Sequence, residues 1–243
     1  MTTGNDQQGK LYLVPTPLGK TPSNNSLPPA VIETVHTLDT FLVENIQSAL
    51  RFFQWIKHPI PDYKLKLYVL NKKTSAEEKN DYLDLLQKGS RVGIVSEAGC
   101  PAIADPGAEM VKMAHSRGIA VVPLVGPSSI LLALMGSGMN GQSFTFHGYL
   151  PIDKNVLRST IKRLEQDSSS KSQTQIFMET PHRNNTLLRE LVNQVNTDTR
   201  ICVAVSITLP DEQIITKTAG AWRESTLPDF LKKPAIFLLE TGR

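Results

Sequence analysis

Short, uninterrupted apolar runs alternate with helix-like patterns through the first half of the chain, and this alternation restricts the possible folds most strongly. Such runs lie at positions 11–14, 41–43, 92–95 and 120–125, and a similar run at 65–70 is interrupted only by Lys66. The segments between them carry apolar residues at helical spacing, as at Val31, Val35 and Leu38. Continuous apolar strands separated by helices are typical of a parallel sheet covered on both faces. The sequence therefore predicts an α/β fold with a mostly parallel sheet in its N-terminal domain.

The second half of the chain has a different pattern. Strand-like runs lie at 143–150, 176–178, 201–207, 213–218 and 235–239, and helical patterns lie at 153–166 and 183–195. The polar, serine-rich segment from Gln166 to Thr174 predicts a mobile loop. Because strands follow one another with fewer helices between them, we expect a mixed sheet here. The predicted division is an N-terminal α/β domain at residues 10–125 and a C-terminal α/β domain at residues 126–243.

The composition is that of an ordinary globular protein. Of the 243 residues, 40% are hydrophobic and 20% are charged, and a formal net charge of +3 does not by itself indicate a nucleic-acid-binding protein. The two cysteines, Cys100 and Cys202, form no Cys-x-x-Cys pair, which excludes a zinc ribbon or a redox motif. The first ten residues are polar and lack the apolar core of a signal peptide, which favours a cytoplasmic protein.

Loops rich in glycine and proline follow three of the predicted strands. The longest runs from Ser96 to Gly107 after the fourth strand, and the others are Pro15–Gly19 after the first and Pro123–Ser129 after the fifth. In a parallel α/β sheet, ligands bind at the carboxyl ends of the strands. The three loops therefore predict one shared binding rim. Turn chemistry alone also explains each loop as a rigid connection without a ligand.

Several segments of the sequence resemble a known family. In chain order between Lys10 and Gly242 they read LYLVPTPLG, VSEAGCPAIADPG, VVPLVGPSS, GYLP, IFMETPHR and PAIFLLETG. Together they are similar to the tetrapyrrole (corrin/porphyrin) methylase superfamily. Within it, they most resemble the bacterial 16S ribosomal RNA (cytidine-2′-O)-methyltransferases. The chain lacks a Gly-x-Gly-x-x-Gly motif and a Walker-type Gly-Lys-Ser/Thr motif, which weakens other nucleotide-binding interpretations.

The resemblance implies a two-domain α/β protein, usually a homodimer, that binds S-adenosylmethionine in a cleft between the domains and needs no metal. Because the sulfonium is already activated, the protein mainly has to position donor and acceptor and exclude water. Matched by position, the implied donor-binding residues are Pro15, Thr16, Pro17, Leu18, Glu97, Ala98, Gly99, Ile103, Ser128, Ser129, Tyr149, Leu150, Met178, Pro234 and Ala235.

Segments implied to face the methyl acceptor depart more from the family pattern. The Ala-Glu-Asp-Thr-Arg stretch of the ribosomal enzymes is Val43–Gln47 here, which keeps the carboxylate of Glu44 and loses the arginine. Glu44 is therefore the candidate catalytic residue, and a solvent-facing position at a strand end is the alternative. The family's Arg-Glu-Leu-Thr-Lys is Val205–Leu209, and its Gly-Glu pair is Lys233–Pro234.

Lys154, Arg158 and Lys162 recur every four residues on one predicted helix, opposite its apolar side. With Arg183, they are candidate contacts for an RNA substrate, although a solvated helix face is the favoured explanation of such a stripe. The leading hypothesis is 2′-O-methylation of a cytidine ribose in ribosomal RNA of the small subunit. A small-molecule, tetrapyrrole-type methylase and a non-catalytic S-adenosylmethionine-binding module are the alternatives.

Overall fold

The chain divides into two compact units, the first ending at Pro127 and the second beginning at Ser128. A computed structural model describes residues 9–20 and 26–242. The polar start of the chain, which motivated the expectation of a cytoplasmic protein, lies outside these residues except for its last two positions. Within the described ranges, no helix combines the length and the apolar character that crossing a membrane requires.

The first unit is built on a parallel sheet. Its strands are β1 (Lys10–Val14), β2 (Thr40–Val43), β3 (Lys66–Val69), β4 (Arg91–Val95) and β5 (Ala120–Pro123). Its helices are α1 (Pro29–His36), α2 (Ile46–Trp55), α3 (Ala76–Gln87) and α4 (Gly107–Ser116), with a short 3₁₀ helix at Asp62–Lys64. The strand order is β3-β2-β4-β1-β5, and every pairing is parallel, as the apolar runs predicted.

Both faces of this sheet are buried, which explains the continuous apolar strands. Phe41 of β2 lies in a core with Phe53 of α2, with ring centroids 4.5 Å apart. The next residue, Leu42, points to the opposite face and belongs to a second core with Leu83 of α3 and Met110 of α4. Each fully buried side chain of this size contributes about 1.5–3 kcal/mol relative to exposure.

The second unit contains a mixed sheet, as predicted. Its strands are β6 (Phe144–Tyr149), β7 (Thr174–Glu179), β8 (Arg200–Val205), β9 (Gln213–Thr218) and β10 (Ala235–Glu240). Its helices are α5 (Ser129–Ser137), α6 (Lys154–Lys171), α7 (Asn184–Gln194) and α8 (Ala219–Arg223). The order is β6-β7-β10-β8-β9, with β6 and β7 parallel and the other pairs antiparallel.

The predicted mobile loop at Gln166–Thr174 is wrong, because α6 continues to Lys171. Ser168 is buried, and its hydroxyl accepts a hydrogen bond from the Thr241 backbone N–H at 3.0 Å. Lys171 pairs with Asp167 one turn earlier, and the helix ends at Ser172 in the left-handed conformation. A tertiary contact near the end of the chain thus stabilises a helix that serine-rich composition alone disfavours.

Candidate functional site

The carboxyl ends of β1 and β4 lie side by side in the parallel sheet of the first unit. From β1 the chain crosses to β2 on one side, whereas from β4 it crosses to β5 on the other. In open α/β sheets, ligands bind in the crevice where successive connections leave in opposite directions. The topology of the first unit therefore favours a ligand site at this edge.

The loops after β1, β4 and β5 contact one another at this edge, and we call residues 15–19, 96–107 and 124–127 together the loop rim. Thr16 and Gly99 exchange backbone hydrogen bonds of 3.0 and 3.1 Å, which joins the first loop to the second. The Cys100 thiol donates to the Pro127 carbonyl at 3.4 Å, which joins the second loop to the third. A Cβ at Gly126 would lie 2.2 Å from that of Pro15, so only glycine allows the first and third loops to pack this closely.

The β4 loop contains unusual backbone conformations. Gly99, Ala102 and Ala104 all adopt left-handed φ angles, of 75°, 67° and 58°. Each such alanine costs roughly 1–2 kcal/mol, and strained residues of this kind cluster at ligand sites. The Asp105 carboxylate braces the loop by accepting hydrogen bonds from the backbone N–H groups of Ala102 (2.8 Å) and Gly107 (2.7 Å). The alanines give no sequence signal for this conformation.

Helix α4 begins directly after the β4 loop, and Asp105 stabilises its first turn. The N-cap of α4 is Pro106, which makes no side-chain cap, and proline does not occupy the first helical position. Asp105 lies one residue further out and uses its carboxylate to hold the loop as well as the first helical N–H. Burial raises the pKa of this carboxyl, and the two backbone N–H donors partly offset the increase.

Three carboxylates interact electrostatically at this edge of the sheet. Glu44 directly follows β2, and its pKa is raised by burial and then by the negative charges of Glu97 and Asp105. The backbone N–H of Glu97 and the charge of Lys72 act in the opposite direction. Glu97 also accepts a hydrogen bond from the Ser48 hydroxyl at 3.2 Å. The negative potential favours a cationic ligand here.

The predicted donor-binding residues of the first unit fall into two groups. Pro15, Thr16 and Gly99 are buried and form the framework of the loop rim. Glu97, Ala98 and Ile103 are exposed, and Ile103 is 50% accessible although its side chain is apolar. Pro17 and Leu18 are half-buried, and a Cβ at Gly99 would lie 3.1 Å from Leu18 Cδ2. The exposed group is the part of this unit that a ligand can reach.

Predicted donor-binding residues of the second unit also meet at one edge of its own sheet. Tyr149 pairs with Met178 across β6 and β7, after a register shift that includes Gly148 at a φ of 66°. Ala235 lies next to the end of β7 because it pairs with Glu179. Tyr149 is exposed, whereas Leu150 is buried in the core.

Three predicted contacts of the methyl donor remain, and two of them make hydrogen bonds within their own unit. The Pro234 carbonyl accepts from the Ser206 N–H at 2.9 Å. Ser128 is the N-cap of α5 and accepts from the Leu131 N–H, and Ser129 is the first residue of that helix. A capping role thus accounts for Ser128 within its own unit.

Sequence reasoning missed an ion pair at the same edge of the second sheet. Lys233 Nζ lies 2.9 Å from Asp211 Oδ2, which also accepts from the Ser206 hydroxyl at 3.2 Å. The hydrogen bond from Lys233 lowers the pKa of Asp211. Lys233 belongs to a segment that departs from the family pattern, whereas Asp211 follows the altered segment Val205–Leu209 at a place where the family carries an acid. The only available signal was therefore that these two places carry opposite charges.

Three of the four candidate RNA contacts have acidic partners. Arg158 Nε and Lys154 Nζ lie 2.9 and 3.5 Å from the carboxylate oxygens of Glu190. Arg183 Nη2 lies 3.0 Å from Oε2 of the buried Glu179. Lys162 is exposed and lines a cavity of about 410 Å³ beside α6. Their contact with RNA stays a prediction.

Comparison with known proteins identifies the family. The model of the Tetrapyrrole (Corrin/Porphyrin) Methylases matches residues 10–222. A relative from Bacillus subtilis (strain 168), named Ribosomal RNA small subunit methyltransferase I, is 31% identical over 217 residues, which cover 88% of this chain and 69% of the relative. The chain belongs to the tetrapyrrole methylase family and is an S-adenosylmethionine-dependent methyltransferase.

Solved structures share the fold. The methyltransferase CobJ superposes with a TM-score of 0.64 at 16% identity, covering 96% of this chain and 95% of CobJ. A uroporphyrin-III C-methyltransferase from Thermus thermophilus, solved in complex with S-adenosylhomocysteine, superposes with a TM-score of 0.55 at 16% identity, covering 96% of this chain and 97% of its own. The predicted α/β class, with a parallel and a mixed sheet, is confirmed.

Proposed function

We propose that this methyltransferase acts on ribosomal RNA of the small subunit and methylates the ribose 2′-hydroxyl of a cytidine. The observation that carries the choice of acceptor is the alignment of nearly the whole chain with relatives named for small-subunit ribosomal RNA. The proposal includes a homodimer, as the family resemblance suggests. Because ribosomal RNA is a cytoplasmic substrate, it also includes a cytoplasmic location.

The residues at the carboxyl edge of the first sheet fit S-adenosylmethionine chemically. The donor carries a permanent positive charge on sulfur, and Glu97 and Glu44 supply negative potential at this edge. Leu18 and Ile103 offer apolar surface suited to an adenine ring. Gly99 holds the loop that carries Glu97 and Ile103 against the first loop of the rim through its two hydrogen bonds with Thr16. We extend the donor-binding proposal to the predicted residues of the second unit, from Ser128 to Ala235.

When bound, the donor supplies an activated methyl group for in-line displacement by the acceptor oxygen. The loop rim holds its backbone groups in place through the Thr16–Gly99 and Cys100–Pro127 hydrogen bonds, so little reorganisation is needed. Glu44 accepts the proton of the ribose hydroxyl. Its raised pKa makes it a stronger base than an ordinary surface glutamate.

Methyl transfer with an acceptor panel tests this function. Purified protein and S-adenosylmethionine labelled in the methyl group are incubated with small ribosomal subunits, with naked 16S ribosomal RNA and with a reduced uroporphyrin-type tetrapyrrole. We expect label in RNA that digests to 2′-O-methylcytidine. Transfer to the tetrapyrrole alone would replace this proposal with a small-molecule methylase. Tight donor binding without transfer to any acceptor would favour a binding module.

A further inference from the structure

Two adjacent lysines occupy the loop that follows β3, at the same edge of the parallel sheet as Glu44. β2 and β3 are neighbouring parallel strands, so Glu44 after β2 and Lys72 after β3 leave the sheet side by side. Lys72 and Lys73 are both exposed. We call these two residues the lysine pair.

The loop that carries the lysine pair is held rigidly. Asn71 accepts a hydrogen bond from the Lys73 N–H at 2.8 Å through its side chain. The buried Thr74 hydroxyl accepts from the Asn71 N–H at 2.9 Å and donates to the Val69 carbonyl at 3.2 Å. α3 then begins with a capping box between Ser75 and Glu78. A turn fixed at both ends presents the two ammonium groups to solvent with little loss of backbone entropy on binding.

The lysine pair makes no ion pair of 4 Å or less with any acid among residues 9–20 and 26–242. The predicted contacts Lys154, Arg158 and Arg183 differ in this respect, because each already has a carboxylate partner. Breaking an existing pair to bind a phosphate costs part of the energy gained, whereas an unpaired lysine loses only hydration and counterions.

The charge of the neighbouring carboxylates gives this pair a specific role. Glu44, Glu97 and Asp105 create negative potential that would repel a nucleic-acid backbone from the acceptor edge. The charge of Lys72, which acts on Glu44, and that of the adjacent Lys73 offset this repulsion where an RNA strand would have to enter. Their adjacency on one turn suits consecutive phosphates of a single strand.

We propose that Lys72 and Lys73 bind the phosphate backbone of the acceptor RNA and hold it against the edge that carries Glu44. This inference rests on the proposed ribosomal RNA function and adds to it the surface that the RNA occupies. It also shifts the RNA contacts from α6, where the sequence pattern suggested them, to the β3–α3 loop.

Equilibrium binding of labelled 16S ribosomal RNA over a range of salt concentrations tests the proposal without requiring methyl transfer. The test variant is Lys72→Ala/Lys73→Ala. The matched control is Lys10→Ala/Lys88→Ala, which removes the same charge at the start of β1 and the end of α3, on the opposite edge of the same sheet. Donor affinity, measured by calorimetry, serves as a check that both variants are folded.

The test variant is expected to raise the Kd for RNA about tenfold at 0.1 M salt and to lower the slope of log K against log salt by about 1.4, the value for two single-stranded phosphate contacts. The control should change neither by more than about twofold. Equal effects in both variants would overturn the proposal, because the loss would then follow net charge. If RNA binding depends on the lysine pair but the wild-type protein transfers no methyl group to RNA, this inference is supported and the proposed reaction is contradicted. Protein that binds a tetrapyrrole through the lysine pair but does not bind RNA would overturn the inference.

Discussion

At the scale of single residues, the loop rim depends on positions where a side chain cannot be added or a backbone angle is unfavourable. Gly126 packs against Pro15, and Gly99 holds a left-handed φ while both of its backbone groups are bonded to Thr16. The importance of Gly99 could be predicted from the sequence because glycine is the residue that adopts such angles freely. The left-handed angles of Ala102 and Ala104 could not be predicted, since alanine normally avoids them. The Asp105 carboxylate, which holds Ala102 through its backbone N–H, gives no sequence signal for this conformation.

Gly99→Val is expected to abolish S-adenosylmethionine binding, with a loss of affinity of at least about a hundredfold. The new side chain would press on Leu18 and impose strain on the residue that joins two loops of the rim. Gly118→Val is the matched control, because Gly118 has a similar φ of 68° and a Cβ there meets open space. Calorimetry should show donor binding in the control. Retained affinity in Gly99→Val would mean that the donor site lies elsewhere.

Glu44→Gln is expected to raise thermal stability by a few degrees at neutral pH while reducing methyl transfer. The raised pKa of Glu44 means that the folded protein binds this proton more tightly than the unfolded chain does. Stability therefore falls as pH rises from the ordinary glutamate pKa through the raised value, and glutamine removes that loss. Melting curves from pH 4 to pH 8 check the sign. The gain should vanish at the acid end, and the exposed Glu33→Gln control should show no such trend.

A pH-independent gain in Glu44→Gln would contradict this electrostatic account. Unchanged methyl transfer by the same variant would show that Glu44 takes no part in the reaction. Glu44 would then be a solvent-facing residue at the end of a strand, which is the alternative explanation.

At the scale of secondary-structure elements, periodicity predicted the existence of most helices and strands, whereas long-range contacts decided where some of them end. The apolar side of α6, with Leu157, Ile161 and Leu164, is buried as the pattern predicted. Its last turn was not predicted because the stabilising partner of Ser168 is Thr241, far away in the sequence. The short helix α8 was missed for a similar reason, since Trp222 is buried in the core and its indole N–H donates a hydrogen bond to the distant Ile201 carbonyl on β8.

Ser168→Ala is expected to destabilise the protein by about 1–2 kcal/mol, because the Thr241 N–H loses its hydrogen-bond acceptor. Ser170→Ala, at an exposed position of the same helix turn, should change stability by less than about 0.5 kcal/mol. Urea denaturation of the two variants provides the comparison. Equal stability of both variants would show that the Ser168 contact does not hold the end of α6.

At the scale of the whole chain, the two sheet types could be predicted because they depend on the order of strands and helices along the sequence. Continuous apolar strands with intervening helices gave the parallel sheet, and closely spaced strands gave the mixed one. The strand orders were not predicted, because pairing between distant strands leaves no periodic signal. The ion pairs of Lys233 with Asp211 and of Arg158 with Glu190 could not be predicted for the same reason.

The acidic neighbours of the basic residues distinguish the RNA contacts suggested by the sequence from the lysine pair proposed above. The stripe on α6 was conspicuous because it is periodic, yet Glu190 on α7 neutralises part of it. The lysine pair after β3 has no periodic pattern, and its significance depends on the adjacency of β2 and β3. Periodicity identifies a helix face, whereas the neighbours of each charge decide whether that face is available for binding.

We propose that this chain methylates a cytidine ribose of the small-subunit RNA with a donor held at the loop rim. The most direct measurement is a map of 2′-O-methylation on 16S ribosomal RNA from a strain without the gene, complemented with wild-type or Gly99→Val protein. The account predicts that one 2′-O-methylcytidine disappears on deletion and returns with wild-type protein only. An unchanged methylation map after deletion, or full restoration by Gly99→Val, would contradict it.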